Sequence, residues 1–129
     1  MNRPLALSLV ALISYMTLIF YLSGQPADVS AGIEIFDIPR IIMHFGEYGI
    51  LGLLMNLVVT QISSKNPKSI LYSTVFCSLY GVTDEVHQYY VPTRCFDIYD
   101  IIADAIGGVA GAVFSVILLA MLKVEKTGS

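Results

Sequence analysis

The sequence predicts an all-α, polytopic membrane protein in which four transmembrane helices form a small bundle. Of its 129 residues, 56% are hydrophobic and 13% are charged, and the mean hydropathy is +0.74. A soluble domain of this size has fewer apolar and more charged residues. Four apolar stretches are also long enough to cross a hydrocarbon core of about 30 Å, which takes roughly 20 helical residues. They predict helices at about residues 4–22, 41–62, 69–90 and 98–122, within a single domain over residues 1–129.

The first segment shares features with a secretory signal, because Arg3 precedes an apolar run and the small residues Ser23 and Gly24 follow it. Its apolar run of about 18 residues is longer than the roughly 7 to 15 residues of a signal peptide. We therefore predict a helix that is retained in the membrane.

The second segment places ionisable residues inside an apolar stretch. Arg40, His44 and Glu47 are spaced i, i+4 and i+7, so they share one face of a helix. Tyr48 follows directly. Charged side chains within a membrane span are costly and usually mark a functional site. We expect this face to point into the bundle.

The third and fourth segments repeat this pattern. On the third segment, Asp84, His87 and Gln88 share one helical face, and Glu85 lies beside it. On the fourth segment, acidic residues are spaced three and four positions apart, at Asp97, Asp100 and Asp104. Arg94 lies in the connection between the two segments and is expected to reach back toward these acids.

The basic residues predict an orientation, because cytoplasmic loops are enriched in Lys and Arg. With both termini in the cytoplasm, most basic residues lie inside, namely Arg3, Lys65, Lys68, Lys123 and Lys126. Arg40 and Arg94 then lie outside, which favours an N-in, C-in topology. In that topology Glu47, Asp84 and Asp104 lie about 9 Å below the outer boundary, at 1.5 Å per helical residue. The sequence therefore predicts an outward-facing polar site within the membrane.

A second interpretation of these residues is a polar seam that holds the helices together. Polar contacts between membrane helices usually contribute about 0.6 kcal/mol and at most roughly 2 kcal/mol. A cluster of many ionisable groups is a costly means to so modest a stabilisation. A functional site is therefore the interpretation that we favour.

The composition and the small residues indicate which classes of partner the protein can have. The net charge of −3 argues against nucleic acid, and the apolar segments make the lipid bilayer the expected surroundings. Ala103, Gly107 and Gly111 recur every four residues on the fourth segment, which allows close packing between helices. The same residues could equally pair two copies of the chain, so a homo-oligomer remains open.

Several short polar motifs recur in order along the chain, at Tyr21–Pro26, His44–Tyr48, Asp84–Gln88, Val91–Arg94 and Asp97–Asp100. Together they resemble the VanZ-like family, whose members carry a similar Tyr-Leu-Ser-Ser-Gln-Pro run after the first helix. The resemblance covers nearly the whole chain. It implies a small multi-pass protein of the bacterial cytoplasmic (inner) membrane, in a family whose namesake is associated with reduced susceptibility to teicoplanin.

Two residues depart from the family pattern. Thr93 stands where Gly is common before the arginine, and Asp104 stands where Asn is common. The second departure adds a negative charge near Asp100.

One functional hypothesis is binding of a polar head group. Arginine pairs well with phosphate or carboxylate, and the acids could bind an ammonium or hydroxyl groups. The ligand would be an envelope lipid, a cell-wall precursor or a lipoglycopeptide. The binding residues of this hypothesis are Arg40, His44, Tyr48, Gln88, Arg94, Asp97, Asp100 and Asp104.

The alternative hypothesis is a membrane-embedded hydrolase that acts on a lipid or wall-linked substrate of the outer leaflet. Its catalytic residues would be Glu47, Asp84, Glu85 and His87. A divalent metal ion is a candidate cofactor, with His44, Glu47, Asp84 and His87 as ligands. Acid/base chemistry without metal is equally open, and the sequence contains neither an HExxH nor a GxSxG motif.

Overall fold

The computed structural model describes residues 3–26, 39–63 and 68–127 of the chain. All the regular structure in this part is helical and forms four helices. They are α1 (Arg3–Ser23), α2 (Arg40–Ile62), α3 (Ser69–Tyr89) and α4 (Ile98–Thr127). The predicted all-α bundle is confirmed. The predicted helix ends agree to within one residue, except that α4 continues past residue 122 to Thr127.

Three of these helices are long and apolar enough to span a membrane, judged by length and composition alone. They are α1, α2 and the part of α4 from Ile98 to Lys123. The sequence prediction of four such spans includes α3, which is less apolar because its buried face is polar or small. That buried face consists of Ser69, Ser73, Cys77, Gly81, Asp84, Glu85 and Gln88.

The outer face of α3 is nevertheless apolar. Leu71, Val75, Leu79, Val82 and Val86 are all exposed, and their spacing of three or four residues puts them on one side of the helix. A polar inner face and an apolar outer face are the reverse of a soluble helix. This arrangement suits a helix whose outer side meets lipid and whose inner side packs against protein.

The most extensive interface of the bundle joins α2 and α4, and glycines let the two backbones approach closely there. A methyl group on Gly107 would overlap the carbonyl of Phe45, and one on Gly111 would overlap the carbonyl of Gly49. The prediction that small residues of the fourth segment pack closely against another span is confirmed at these two positions. On α2, Gly52 faces Gly108 in the same way.

A polar cross-link lies deeper in the bundle, between α2, α3 and α4. The Asn56 side-chain amide donates to the Ser115 hydroxyl, and the Ser73 hydroxyl donates to Asn56 Oδ1 at 3.3 Å. All three side chains are fully buried. Buried polar groups are costly without hydrogen-bond partners. Here the Asn56 side chain provides a partner for both serine hydroxyls.

Candidate functional site

Alternating helix direction brings four helix ends together at one end of the bundle: the end of α1, the start of α2, the end of α3 and the start of α4. The polar residues predicted from the sequence lie at these ends. We define the polar cluster as Arg40, His44, Asp84, Glu85, Gln88, Arg94, Asp100 and Asp104. Most of its members are buried, with Glu85 and Asp104 each only 1% exposed.

Gln88 lies at the centre of the polar cluster and is 2% exposed. Its Oε1 accepts hydrogen bonds from Arg40 Nη2 at 2.9 Å and from Arg94 Nη1 at 3.4 Å. Its Nε2 donates to Asp84 Oδ2 at 3.0 Å. The amide therefore separates two guanidinium groups on one side from a carboxylate on the other.

A second chain of contacts links α2 to α4. Arg40 Nη2 lies 2.7 Å from Asp100 Oδ2, and His44 Nε2 lies 3.6 Å from the same oxygen. His44 Nδ1 is hydrogen-bonded to Asp104 Oδ1 at 2.9 Å. The imidazole ring is thus held between two buried carboxylates. Gly81 makes room for one of them, because a Cβ atom there would lie 2.7 Å from Asp104 Oδ2.

Glu85 and Asp97 organise the start of α4. Glu85 Oε1 accepts a hydrogen bond from the backbone N–H of Asp97 at 2.5 Å and lies 3.8 Å from Arg40 Nη2. Asp97 Oδ1 accepts from the N–H of Tyr99 at 2.9 Å, as an N-cap residue does. The predicted binding residue Asp97 is therefore engaged in capping the helix.

Arg94 connects the loop before α4 to the end of α1. Its Nε donates to the backbone carbonyl of Gln25 at 3.1 Å, and its Nη1 reaches Gln88. Burial, and to a lesser degree the charge of Arg40, lowers the pKa of Arg94 from its ordinary value. A guanidinium remains protonated even so. Arg94 was predicted to reach the acids of the fourth segment, but its side chain contacts Gln25 and Gln88. The acids within its electrostatic range are Asp84, Glu47 and Glu85.

The turn that positions Arg94 contains a strained residue. Thr93 has a φ of 69°, in the left-handed region that β-branched residues rarely adopt. This explains in physical terms why the family resemblance leads one to expect glycine at this position.

We expect Thr93→Gly to raise the free energy of unfolding by about 1 kcal/mol, because the relief of strain exceeds the entropy lost by glycine. The measurement is an SDS titration of the detergent-purified protein. Thr83→Gly is the matched control, since Thr83 lies exposed in α3, where glycine should instead lower stability by about 0.3 kcal/mol. A loss of stability in Thr93→Gly would contradict the expectation.

His87 points away from the other predicted histidine. Its Nδ1 lies 3.1 Å from Ser23 Oγ, and its ring stacks on Phe20 with a centroid distance of 4.3 Å. His87 and Asp84 are three residues apart, hence about 60° apart around the helix axis. His87 contacts α1, whereas Asp84 accepts from Gln88 and also interacts with Ser23 of α1.

Glu47 and Tyr48 border the polar cluster. Glu47 is half-buried and lies within electrostatic range of His44, Asp84 and Arg94, while its backbone carbonyl accepts a hydrogen bond from the Tyr15 hydroxyl at 3.2 Å. Tyr48 is fully buried. Its hydroxyl has no hydrogen-bond partner within the described part of the chain.

The two predicted histidine ligands have different hydrogen-bond partners. Within residues 3–26, 39–63 and 68–127, no three His, Cys, Asp or Glu side chains are arranged to hold a metal ion. Of the predicted set, His44 is hydrogen-bonded to Asp104 of α4 and His87 contacts Ser23 of α1, while Glu47 and Asp84 both lie within electrostatic range of His44. The ligand set of His44, Glu47, Asp84 and His87 stays a prediction.

Unused hydrogen-bonding capacity distinguishes the polar cluster. Asp84 Oδ1, Glu85 Oε2 and Asp104 Oδ2 are buried and have no hydrogen-bond partner among the described residues. Buried polar atoms are nearly always bonded. These three oxygens can accept hydrogen bonds from a ligand that enters the cluster.

Two residues of the site come from the end of α1 and were not among the predicted site residues. Ser23 contacts His87, and the carbonyl of Gln25 holds Arg94. The available signal was their place in the Tyr21–Pro26 motif, which the sequence analysis used only for the family resemblance.

Comparison with known proteins gives one match. A family model described as VanZ/LLP1 matches residues 8–119, which include all of the polar cluster. Neither the curated proteins nor the solved structures contain a match.

Proposed function

Because the chain belongs to the VanZ/LLP1 family and has helices that can span a membrane, we propose that its polar cluster binds the head group of an envelope lipid, a cell-wall precursor or a lipoglycopeptide. The main support for this proposal is that one amide oxygen, Gln88 Oε1, accepts hydrogen bonds from the guanidinium groups of both Arg40 and Arg94.

Two like charges this close to each other favour an anion between them. Guanidinium groups bind phosphate and carboxylate through paired hydrogen bonds, and a neutral amide oxygen is a weaker acceptor than either anion. The side chain of Arg40 is 38% exposed and Arg94 is half-buried. An anionic head group can therefore reach both and replace Gln88 as their acceptor.

The acids beside the arginines suit the remainder of a head group. Asp84 Oδ1 and Glu85 Oε2 have no partner within the described ranges, and both residues lie next to Gln88 or Arg40. A ligand hydroxyl or ammonium would supply the missing donors. The cluster thus offers arginines that can bind an anion and, beside them, carboxylate oxygens that can accept hydrogen bonds from the ligand.

The proposed location is the outer leaflet of the bacterial cytoplasmic membrane. Arg40 and Arg94 lie at the end of the bundle opposite Arg3 and Lys123, and the excess of basic residues at that opposite end favours a cytoplasmic position for it. Capture of a head group on the outer side would limit access of a glycopeptide antibiotic to its target, which supports a role in reduced teicoplanin susceptibility.

We expect Arg94→Ala to raise the Kd for phosphatidylglycerol about 10-fold or more, because a charge-assisted hydrogen bond contributes about 1.5–3 kcal/mol. Native mass spectrometry of the detergent-purified protein, titrated with this lipid, provides the measurement. Arg94→Lys should give a smaller loss, since an ammonium binds phosphate as a point charge.

Arg3→Ala is the matched control, because Arg3 is an exposed arginine at the other end of α1. Equal affinities of the wild-type protein and Arg94→Ala would overturn the proposal, as would an equal loss in Arg3→Ala. In bacteria, Arg94→Ala should also remove any reduction of teicoplanin susceptibility that the wild-type protein confers.

Hydrolysis of an outer-leaflet lipid is the second candidate function. One contact favours it, the hydrogen bond between Ser23 Oγ and His87 Nδ1. The form of this hypothesis that the contact favours is acid/base chemistry by His87, with Asp84 or Glu47 nearby.

A further inference from the structure

The contact between Ser23 and His87 has the composition of a nucleophile and its base. Ser23 is the last residue of α1 and is 5% exposed. Its Oγ lies 3.1 Å from His87 Nδ1, within the range expected for such a pair. Stacking on Phe20, with an interplanar angle of 11°, fixes the imidazole ring. Gly24 leaves space for the ring, since a Cβ there would lie 3.3 Å from His87 Cε1.

The hydroxyl proton of Ser23 has more than one possible acceptor. The Oγ lies 3.1 Å from the carbonyl oxygen of Phe20 and 3.1 Å from His87 Nδ1, and the Asp84 carboxylate also interacts with this hydroxyl. A hydroxyl donates one hydrogen bond at a time. When Nδ1 carries no proton, the hydroxyl can donate to it, and the imidazole then acts as a general base toward Ser23.

The surroundings of Ser23 suit an acyl chain beside a polar head group. Phe20 and Tyr21 are 56% and 63% exposed at this end of α1, so they offer an apolar surface to an acyl chain. Arg94 is held by the carbonyl of Gln25, two residues beyond Ser23. A lipid whose head group lies at Arg94 would therefore place its ester linkage near the end of α1.

We propose that Ser23 is a catalytic nucleophile, with His87 as its base, in the cleavage of an acyl ester of a membrane lipid. Ser23 Oγ forms a bond to the ester carbonyl carbon, and the hydroxyl proton passes to His87 Nδ1. The bond to the leaving alcohol breaks, and the alcohol oxygen takes that proton. Water then attacks the acyl-serine and gives a proton to His87, which returns it to Ser23 as the fatty acid leaves.

This inference rests on the second candidate function and names its nucleophile and substrate class. An alkyl fluorophosphonate tests it without a head group, because the probe phosphonylates activated serine hydroxyls with loss of fluoride and partitions into detergent micelles. With the purified full chain, we expect an adduct on Ser23, identified by peptide mass spectrometry, and no adduct in Ser23→Ala.

His87→Asn separates catalysis from packing. The Asn side-chain amide reaches the position of imidazole Nδ1 and preserves a hydrogen bond to Ser23, but it is not a base. We expect the protein to fold, with an unchanged SDS unfolding midpoint, while the labelling rate falls at least about 100-fold. Labelling of Ser23 at the wild-type rate in this variant would overturn the proposal.

Ser78 provides the matched control. It is a half-buried serine whose hydroxyl donates to the carbonyl of Thr74 at 2.9 Å, as Ser23 can donate to Phe20. Ser78→Ala should label at the wild-type rate, and absence of any adduct on Ser23 in the folded wild-type protein would overturn the inference. Arg94→Ala should lose lipid binding but keep the fluorophosphonate adduct, so failure of the head-group proposal is distinguishable from failure of this one.

Discussion

Gly111→Ala is expected to lower the free energy of unfolding by about 3 kcal/mol or more, at the upper end of the range for overpacked sites. The added methyl group would overlap the carbonyl oxygen of Gly49 and lie 2.8 Å from the backbone nitrogen of Leu53. Both atoms belong to the backbone of α2, so neither can move aside by a change of rotamer. The two helices would have to separate along their largest shared interface.

The measurement is the SDS unfolding midpoint of the purified protein, together with the yield of folded protein from membranes. Gly46→Ala is the matched control on α2, because no atom lies within 4 Å of a Cβ at that position. In an exposed helix alanine is favoured over glycine by about 1 kcal/mol, so the control should be neutral or more stable. A Gly111→Ala protein as stable as wild type would mean that α2 and α4 do not approach as closely as described.

The helices themselves could be predicted from the sequence, because length and apolar content decide where a chain can span a bilayer. α3 shows the limit of that argument. Its inner face carries Ser73, Asp84 and Gln88. Their partners lie partly within α3 itself and partly on α2, which supplies Asn56 and Arg40, so this face can be polar inside a membrane bundle. A helix of this kind is recognised by the apolar stripe on its outer side rather than by its total hydropathy.

Within the site, local spacing predicts which residues share a helix face but not which helix each one meets. Arg40 and His44 both reach α4, as their spacing allows. Asp84 and His87 were also assigned to one face, and both interact with Ser23 of α1, but only Asp84 is also hydrogen-bonded to Gln88. The contact of His87 with Ser23 joins residues 64 positions apart, and no local pattern encodes a pairing at that range.

His44→Leu is the second variant with a large expected effect, a loss of about 3–5 kcal/mol in the free energy of unfolding. The imidazole is hydrogen-bonded to Asp104, which is 1% exposed. Removing one member of a buried charged pair leaves the other uncompensated, and this costs more than the pair itself contributes. Leucine has a side-chain volume close to that of histidine. The loss of stability therefore reports the unpaired Asp104 carboxylate rather than a cavity at position 44.

Asp104→Asn is the informative partner substitution, since the VanZ-like pattern commonly has Asn at this position. Asn Oδ1 can still accept a hydrogen bond from His44 Nδ1, and the side chain is neutral. We expect this single variant to lose less than about 1 kcal/mol.

In the double variant that combines His44→Leu with Asp104→Asn, the loss of the imidazole no longer leaves a buried carboxylate without a partner. Its cost should therefore be smaller than in the wild-type background, with a coupling free energy of about 2 kcal/mol by SDS titration of all four proteins. His87→Leu is the matched control, because His87 contacts Ser23 and lies on the side facing α1. Additive losses from His44→Leu and Asp104→Asn would show that the two side chains do not depend on each other, and the negative charge of Asp104 would then need a different compensating group.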